Sequence, residues 1–148
     1  LFSFTMANTT LSLNSSDVLQ ITNLIHLFFH HLDSGNGDEF AQLFTEDGTL
    51  SVPFRKSNSA GREQLKQWCE TVHARFLTTT HWEGNVVIQP SDKDKATNIS
   101  YWKAINEGKV VSVGKHLDEF VNVSGQWRFL NRKVVFLWTQ DSGNVKEN

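Results

Sequence analysis

The sequence has little of several residue types that mark particular classes of protein. It has a single cysteine, Cys69, in 148 residues, which excludes an intramolecular disulfide framework and a cysteine-based zinc cluster. No apolar run is long enough to span a bilayer. No basic run or stripe is present, and the formal net charge is −2, so nucleic acid is a poor guess as a partner. We therefore expect neither a membrane protein nor a nucleic-acid-binding protein.

Histidine spacing gives only weak support for a metal site. His26 and His30 stand at positions i and i+4, a spacing that can bind a metal on one helical face. Both point away from the apolar stripe of their predicted helix, and no acidic third ligand is evident. Solvated histidines are the better interpretation, and we predict no metal and no cofactor.

The length and the ends of the chain favour one domain with loose termini. A chain of 148 residues is the usual size of a single domain. The first basic residue is Arg55, and the stretch from Leu1 to Leu13 is interrupted by Ser, Thr and Asn, unlike a signal peptide. We expect a flexible segment over residues 1–16, a domain over residues 17–138, a flexible polar tail over residues 139–148 and a cytoplasmic location.

Aromatic residues, in contrast, are abundant. There are eleven Phe and five Trp, although the only Tyr is Tyr101. Many aromatic side chains in a small domain suit either a large packed core or an apolar ligand cavity. Composition alone leaves both interpretations open.

Apolar spacing predicts three helices in the first half of the chain. Asp17 is a good N-cap, with Gln20 as its capping-box partner. The stripe that follows has the spacing of an amphipathic helix; its members are Val18, Ile21, Ile25, Phe28 and Leu32. The stripe ends at a Gly-rich turn. Further segments are predicted as a helix at Asp38–Phe44, a strand at Thr49–Phe54, a loop at Ser57–Gly61 and a helix at Arg62–Phe76.

The second half is typical of long strands. Four segments rich in Val, Thr and aromatic residues are separated by short turns; they are Leu77–Gln89, Ala96–Ile105, Lys109–Val123 and Gln126–Trp138. Helices followed by strands indicate an α+β fold. Because strands this long must twist and curl, we predict a curved antiparallel sheet wrapped around the N-terminal helices, a cone with one apolar pocket.

Several segments resemble the SnoaL-like domains of the nuclear transport factor 2-like superfamily. Their order and spacing carry the resemblance, which spans Asp17–Trp138; they are Leu24–Asp47, Ala60–Trp68, Thr80–Ile88, Gly114–Phe120 and Gly125–Val134. The resemblance implies a cone-shaped domain with a pocket, often a dimer through the outer face of the sheet. We therefore expect a homodimer that binds a small molecule. No single function is implied, because one fold hosts many activities.

The nearest likeness in motif is to dehydratase-type SnoaL-like domains, in which an Asp at the end of the first helix pairs with a His on a long strand. Asp33 and His81 match these two positions. A carboxylate that accepts from one imidazole nitrogen fixes the tautomer and raises the basicity of the other nitrogen. That nitrogen can then move a proton beside a carbonyl or to a leaving hydroxyl. Structural roles are the alternative interpretation: Asp33 would cap the turn at Ser34–Gly35, and His81 would be a half-buried strand residue.

Strand alternation predicts further pocket residues, because side chains two positions apart share a face. His81 would share its face with Glu83 and Asn85, whereas Arg132 would share a face with Arg128. A single bulge would reverse these faces. The side chains expected to contact a substrate are Phe28, Asn85, Trp102, His116, Arg132 and Phe136. Arg132 could instead pair with a surface acid, and solvated or structural roles are expected for Glu83, Asp118 and Arg128.

Three functions are compatible with these patterns. The first is a cofactor-free lyase or isomerase in which Asp33 and His81 act as general acid and base on a small, mostly apolar carbonyl or hydroxylated compound. The second is a non-catalytic ligand-binding or dimerisation module. It is suggested by Phe28, Ala104 and Phe136, which stand where the resemblance places polar groups. The third is an accessory subunit resembling the β chains of ring-hydroxylating dioxygenases.

Overall fold

The computed structural model describes residues 11–146. The predicted flexible segment at residues 1–16 lies mostly outside the described residues. The helices are α1 (Ser15–Ser34), α2 (Gly37–Gln42) and α3 (Arg62–Arg75). The strands are β1 (Phe44–Val52), β2 (Ser57–Ala60), β3 (Thr79–Asp92), β4 (Lys95–Asn106), β5 (Lys109–Val123), β6 (Gln126–Thr139) and β7 (Gly143–Asn144). Across residues 11–146, none of the helices has the length and apolarity needed to cross a membrane.

Helix α1 begins earlier than its sequence pattern indicates. Its N-cap is Asn14, whose Oδ1 accepts from the Asp17 N–H at 2.9 Å, while Asp17 Oδ2 accepts from the Asn14 N–H at 3.0 Å. The prediction that Asp17 is the cap was therefore wrong, because Asp17 is the other half of the capping box. The helix ends where Gly35 adopts a left-handed conformation, with φ of 69°.

The buried face of α1 is broader than the predicted stripe. Val18, the first member of that stripe, is 41% exposed, whereas Leu24 and Phe29 are buried. The face packs on the inner side of the sheet, and its aromatic members reach the middle of the domain. Phe29 therefore lies next to the site described below, although it was not a member of the predicted stripe.

The strands form one sheet in the order β2-β1-β6-β5-β4-β3, with β7 paired to β6. The α+β prediction and the curved sheet are confirmed. Three details differ from expectation. The pair β1 and β6 is parallel, residues 57–60 form a strand where a loop was predicted, and Gly143–Asn144 of the predicted flexible tail pairs with β6. In this topology the four long strands lie side by side, and the helices cover one face.

Two irregularities decide which strand residues face inward. The register of β3 against β4 shifts between Gly84 and Val87, and Asn85 within this bulge has a φ of 52°. The register of β5 against β6 shifts between Glu119 and Phe120, which pair with Asn131 and Phe129. Each bulge reverses the alternation beyond it. Asn85 was predicted to share a face with His81, and Arg128 was predicted to share a face with Arg132. Both predictions were therefore wrong.

Gly114 on β5 allows the sheet and a tryptophan to approach each other closely. A Cβ at this position would clash with the Val135 carbonyl oxygen and lie 2.5 Å from the Trp102 indole ring. Trp102 is fixed in this position by a hydrogen bond of 3.3 Å from its Nε1 to the Lys115 carbonyl oxygen. Because residue 114 has no side chain, Trp102 can lie against β5, where it forms one aromatic wall of the interior.

We predict that Gly114→Ala destabilises the protein by about 1–3 kcal/mol, because overpacking displaces neighbouring groups. Gly84→Ala is the matched control, since a Cβ there meets nothing within 4 Å. Its effect should be within about 0.5 kcal/mol. Urea unfolding of both variants measures the difference, and equal stabilities would contradict this account of Gly114.

Candidate active site

A cavity of about 880 Å³ lies between the helices and the inner face of the sheet. Its apolar lining includes Phe28, Phe29, Trp102 and Phe136. Polar side chains also line it, among them Gln67 and the exposed arginines 55 and 75. The volume is in the range of small-molecule sites, so the cavity can hold a compound of several rings.

Asp33, near the end of α1, holds His81 of β3 at two points. The distance from Asp33 Oδ1 to His81 Nδ1 is 2.6 Å. The other carboxylate oxygen, Oδ2, accepts from the backbone N–H of His81 at 2.8 Å. Because both oxygens bind the same residue, the carboxylate fixes the strand position as well as the ring orientation. Both side chains are largely buried, with 15% of His81 and 21% of Asp33 exposed.

The imidazole of His81 lies against the cavity. Its ring stacks on Phe29 with a centroid distance of 4.5 Å and an interplanar angle of 1°, and His81 is part of the cavity lining. An ionised Asp33 can only accept, so the neutral form of the ring carries its proton on Nδ1 and presents a lone pair on Nε2. Within residues 11–146 the structure shows no hydrogen bond to this Nε2. The arrangement therefore offers one basic nitrogen to a bound molecule.

Behind the cavity, Glu83 of β3 is the acceptor at the centre of a buried polar cluster. Its Oε1 accepts from Ser100 Oγ at 2.6 Å, His116 Nδ1 at 2.7 Å and Arg132 Nη2 at 3.1 Å. Only 2% of the side chain is exposed. Burial by itself raises the pKa of Glu83, but the charge of Arg132 and the donated hydrogen bonds lower it to about 2. The carboxylate is therefore ionised at neutral pH.

Arg132 of β6 is the cation of this buried cluster. Its Nε and Nη2 donate to the two oxygens of Asp118, both at 2.8 Å. The guanidinium also contacts two phenyl rings, 4.3 Å from the Phe28 centroid and 4.4 Å from the Phe129 centroid. The guanidinium thus contacts two carboxylates and two phenyl rings. Its hydrogen bonds go to protein groups and not to the cavity.

His116 of β5 is a second imidazole held by a carboxylate. It is completely buried, and its Nδ1 bonds to Glu83. Burial lowers the pKa of His116, and the nearby charge of Arg132 lowers it further, against the opposing effect of Glu83. The ring is therefore neutral, with the proton on Nδ1. Like His81, His116 is part of the cavity lining.

The structure brings most of the predicted site residues together. The cavity lining contains Phe28, His81, Trp102, His116 and Phe136, and Asp33 bonds to His81. Two predicted contacts are not part of it. Asn85 is exposed at the bulge in β3, and Arg132 is enclosed behind the cavity lining, where it pairs with buried acids and not with a surface acid.

Sequence reasoning did not assign Glu83 and Asp118 to a buried cluster. Both occupy inward positions of the predicted alternation, so the pattern itself contained the signal. Charged residues are almost never fully buried unless they are paired. The pairing with Arg132 becomes visible only when β3, β5 and β6 are placed side by side.

Other residues considered for chemistry have structural or solvated positions. Cys69 is buried, and burial raises the pKa of its thiol to about 12, so the thiol is a packed side chain and not a nucleophile. His26 and His30 are exposed on α1. Among residues 11–146, no group of three His, Cys, Asp or Glu side chains is arranged to hold a metal.

Fold and site together define a cystatin-like α+β cone with a carboxylate–imidazole pair in its cavity. Residues 14–133 match the SnoaL-like domain, and the chain belongs to that family. No curated protein sequence matches this chain.

Similar solved structures have the same cone. A candidate scytalone dehydratase from Novosphingobium aromaticivorans is 26% identical, with a TM-score of 0.74, and the match covers 90% of this chain and 92% of that chain. A protein of unknown function with a cystatin-like fold from Nostoc punctiforme is 23% identical, with a TM-score of 0.76 and coverages of 84% and 94%. A nuclear transport factor 2-like protein from Novosphingobium aromaticivorans is 22% identical, with a TM-score of 0.75 and coverages of 82% for both chains.

We predict that Glu83 makes stability pH-dependent in acid. The pKa of Glu83 is lowered from 4.5 to about 2 on folding, so the unfolded chain takes up this proton first as the pH falls. The stability that Glu83 contributes is complete above about pH 4.5 and is lost as the pH approaches 2. Denaturant unfolding at several pH values should therefore show the wild type losing its advantage over Glu83→Gln within this window.

A core variant that keeps the carboxylate is the control for this measurement. Ile25→Val removes a buried methylene group and costs about 0.5–1.5 kcal/mol. Its stability should run parallel to that of the wild type across the acid range. If the Glu83→Gln curve also runs parallel to the wild type, Glu83 is not held ionised by the cluster.

Proposed function

We propose that this protein is a cofactor-free lyase or isomerase that acts on a small, mostly apolar carbonyl or hydroxylated compound. The observation that carries the proposal is the contact of 2.6 Å between Asp33 and His81, with His81 in the lining of a cavity. A base must lie within hydrogen-bond reach of its partner and of the proton that it removes. The geometry supports the first requirement, and the cavity provides space for the second.

In the proposed reaction, His81 Nε2 removes a proton from a carbon next to a carbonyl. The electron pair of the C–H bond forms the carbon–carbon double bond of an enolate as the carbonyl π pair moves to its oxygen, and the imidazolium that results is stabilised by Asp33. In a dehydration the enolate re-forms its carbonyl, its double bond shifts to the α and β carbons as the C–O bond breaks, and the imidazolium donates its proton to the departing β-hydroxyl, which leaves as water. In an isomerisation it returns the proton to a different carbon.

The walls of the cavity suit an apolar substrate. Trp102 and Phe136 pack edge to face with a centroid distance of 4.8 Å. Phe28 and Phe29 also pack edge to face, with a centroid distance of 5.3 Å. Ala104, directly opposite His81 in the register of β3 and β4, is buried and has no polar group. Such walls exclude water from the reacting atoms and strengthen the electrostatic effect of Asp33 on His81.

We predict that the protein accelerates hydrogen–deuterium exchange at the carbons next to the carbonyl of β-tetralone in deuterated buffer. This probe is apolar, fits the cavity volume and needs only the proton-abstraction step. His81→Ala should lower the protein-dependent rate by about a hundredfold or more, as expected for loss of a general base. Asp33→Asn should also lower it, since an amide does not stabilise the imidazolium. Proton NMR follows the exchange.

His26→Ala is the matched control, because His26 is an exposed histidine on α1. It should exchange the probe at the wild-type rate. If His81→Ala is as active as the wild type, His81 is not the base. If β-tetralone and a wider panel of apolar ketones bind without any exchange, the protein is a ligand-binding module, the alternative suggested by Phe28, Ala104 and Phe136.

We also propose that the chain forms a homodimer through the outer face of the sheet. This face presents an apolar group on β3 and β4 that is unusual for exposed strands; its members are Trp82, Val87, Ile99 and Tyr101, exposed by 62%, 55%, 50% and 51%. Val87 and Ile99 are direct partners in the register, so the apolar surface is continuous.

We predict that Ile99→Lys converts the dimer into a monomer, because a charge at the centre of an apolar interface is left without a partner. Leu19→Lys is the control, since Leu19 is 62% exposed on α1. Sedimentation velocity measures both variants. A wild-type monomer would contradict the proposal, and a wild-type chain that is stable only with a larger partner would support an accessory-subunit role.

A further inference from the structure

The second imidazole in the cavity has an unsatisfied nitrogen. Within residues 11–146, His116 Nε2 is buried and has no hydrogen-bond partner. His116 is also part of the cavity lining. Buried polar atoms without partners are rare in proteins, and each one calls for an explanation. Because this one belongs to the wall of a ligand-sized cavity, the natural partner is a bound molecule.

The hydrogen-bonding character of this nitrogen is fixed by the cluster behind it. Glu83 accepts from His116 Nδ1 at 2.7 Å, and Arg132 contacts both oxygens of Glu83, at 3.1 and 3.5 Å. An ionised carboxylate has only lone pairs, so the imidazole must place its single proton on Nδ1. The opposite nitrogen, Nε2, can therefore accept a hydrogen bond but cannot donate one.

The protein groups around the ring cannot supply a donor. Three aromatic rings surround it: Phe29, Phe28 and Trp102, with centroids 5.4, 5.6 and 6.0 Å from that of His116. The phenyl rings have no N–H or O–H group. The Trp102 Nε1–H already donates to the Lys115 carbonyl oxygen. Because no group of residues 11–146 bonds to Nε2, a molecule that enters the cavity is the partner that we infer.

We propose that the cavity selects ligands with a neutral hydroxyl group, which donates its hydrogen bond to His116 Nε2. The rest of the ligand is apolar and lies against the aromatic walls. A carbonyl or ether oxygen at this position would set two lone pairs against each other and leave Nε2 unsatisfied, which a buried site penalises. The preferred ligand is therefore an apolar alcohol or phenol, and a compound with acceptors alone binds more weakly.

The position of His116 also orients such a ligand. The Phe29 ring contacts both imidazoles, with centroids 4.5 Å from His81 and 5.4 Å from His116. A hydroxyl at His116 therefore leaves the rest of the molecule close to His81. The inference deepens the proposed function, since it names the ligand class of the same cavity, but it concerns binding and does not require turnover.

The test is a set of three probes of similar size that differ only in the hydrogen-bonding group. They are para-trifluoromethylphenol, its methyl ether and para-trifluoromethyltoluene, titrated into the wild-type protein and followed by fluorine NMR. The phenol should bind about tenfold more tightly than either of the others, the factor expected when one buried acceptor gains a donor. Equal affinities would overturn the inference, and no variant is needed for this comparison.

Two phenylalanine variants locate the acceptor. In His116→Phe the preference for the phenol should disappear, whereas in His81→Phe it should remain while exchange of β-tetralone is lost. The opposite pattern would place the acceptor at His81 and overturn the inference. A phenol preference in a protein that exchanges no ketone would support the inference and contradict the proposed enzyme, so the two claims fail separately. If His116→Phe does not fold, the wild-type titration and His81→Phe still decide the question.

Discussion

The fully buried pairing of Arg132 with Glu83 and Asp118 is the interaction on which the interior depends. It links β3, β5 and β6, and it places one cation against two carboxylates where solvent does not reach. Removing ions from water costs several kcal/mol for each, so an incomplete cluster would be strongly destabilising. Here the Arg132 guanidinium also contacts the Phe28 and Phe129 rings, and Asn98 donates to Asp118 at 2.8 Å. The cluster is therefore a rigid support for the cavity wall.

The same motif, a carboxylate on an imidazole Nδ1, occurs twice in this cavity with different surroundings. The pair of Glu83 and His116 is enclosed, and Arg132 keeps the carboxylate ionised and the imidazole neutral. The pair of Asp33 and His81 retains some exposure and has no arginine in hydrogen-bond contact. A positive charge on the imidazole is opposed at His116 by Arg132, whereas the His81 ring bonds to the carboxylate of Asp33. The two histidines thus suit different tasks, one as an acceptor for binding and the other as a base.

The sequence predicted the fold more fully than the faces of its strands. Element order, long strands and the resemblance to SnoaL-like domains were enough for the α+β cone, and the family and the fold class are confirmed. The errors come from two bulges, at Asn85 and near Leu130, where one added residue reverses every side chain beyond it. Single-sequence alternation cannot locate such bulges. The buried cluster was missed for a related reason, because Glu83, Asp118 and Arg132 lie far apart in sequence and meet only through strand pairing.

The proposed reaction and the proposed ligand selection both require that the two carboxylates hold both imidazoles with the proton on Nδ1, so that each offers the lone pair of Nε2 to one cavity. Nitrogen NMR of protein labelled in its histidine rings measures this directly, since protonated and unprotonated ring nitrogens have well-separated chemical shifts. We expect His81 and His116, each in its neutral form, to show a protonated Nδ1 and an unprotonated Nε2. A neutral His81 with its proton on Nε2 would leave the proposed base without its lone pair and would contradict the proposed function.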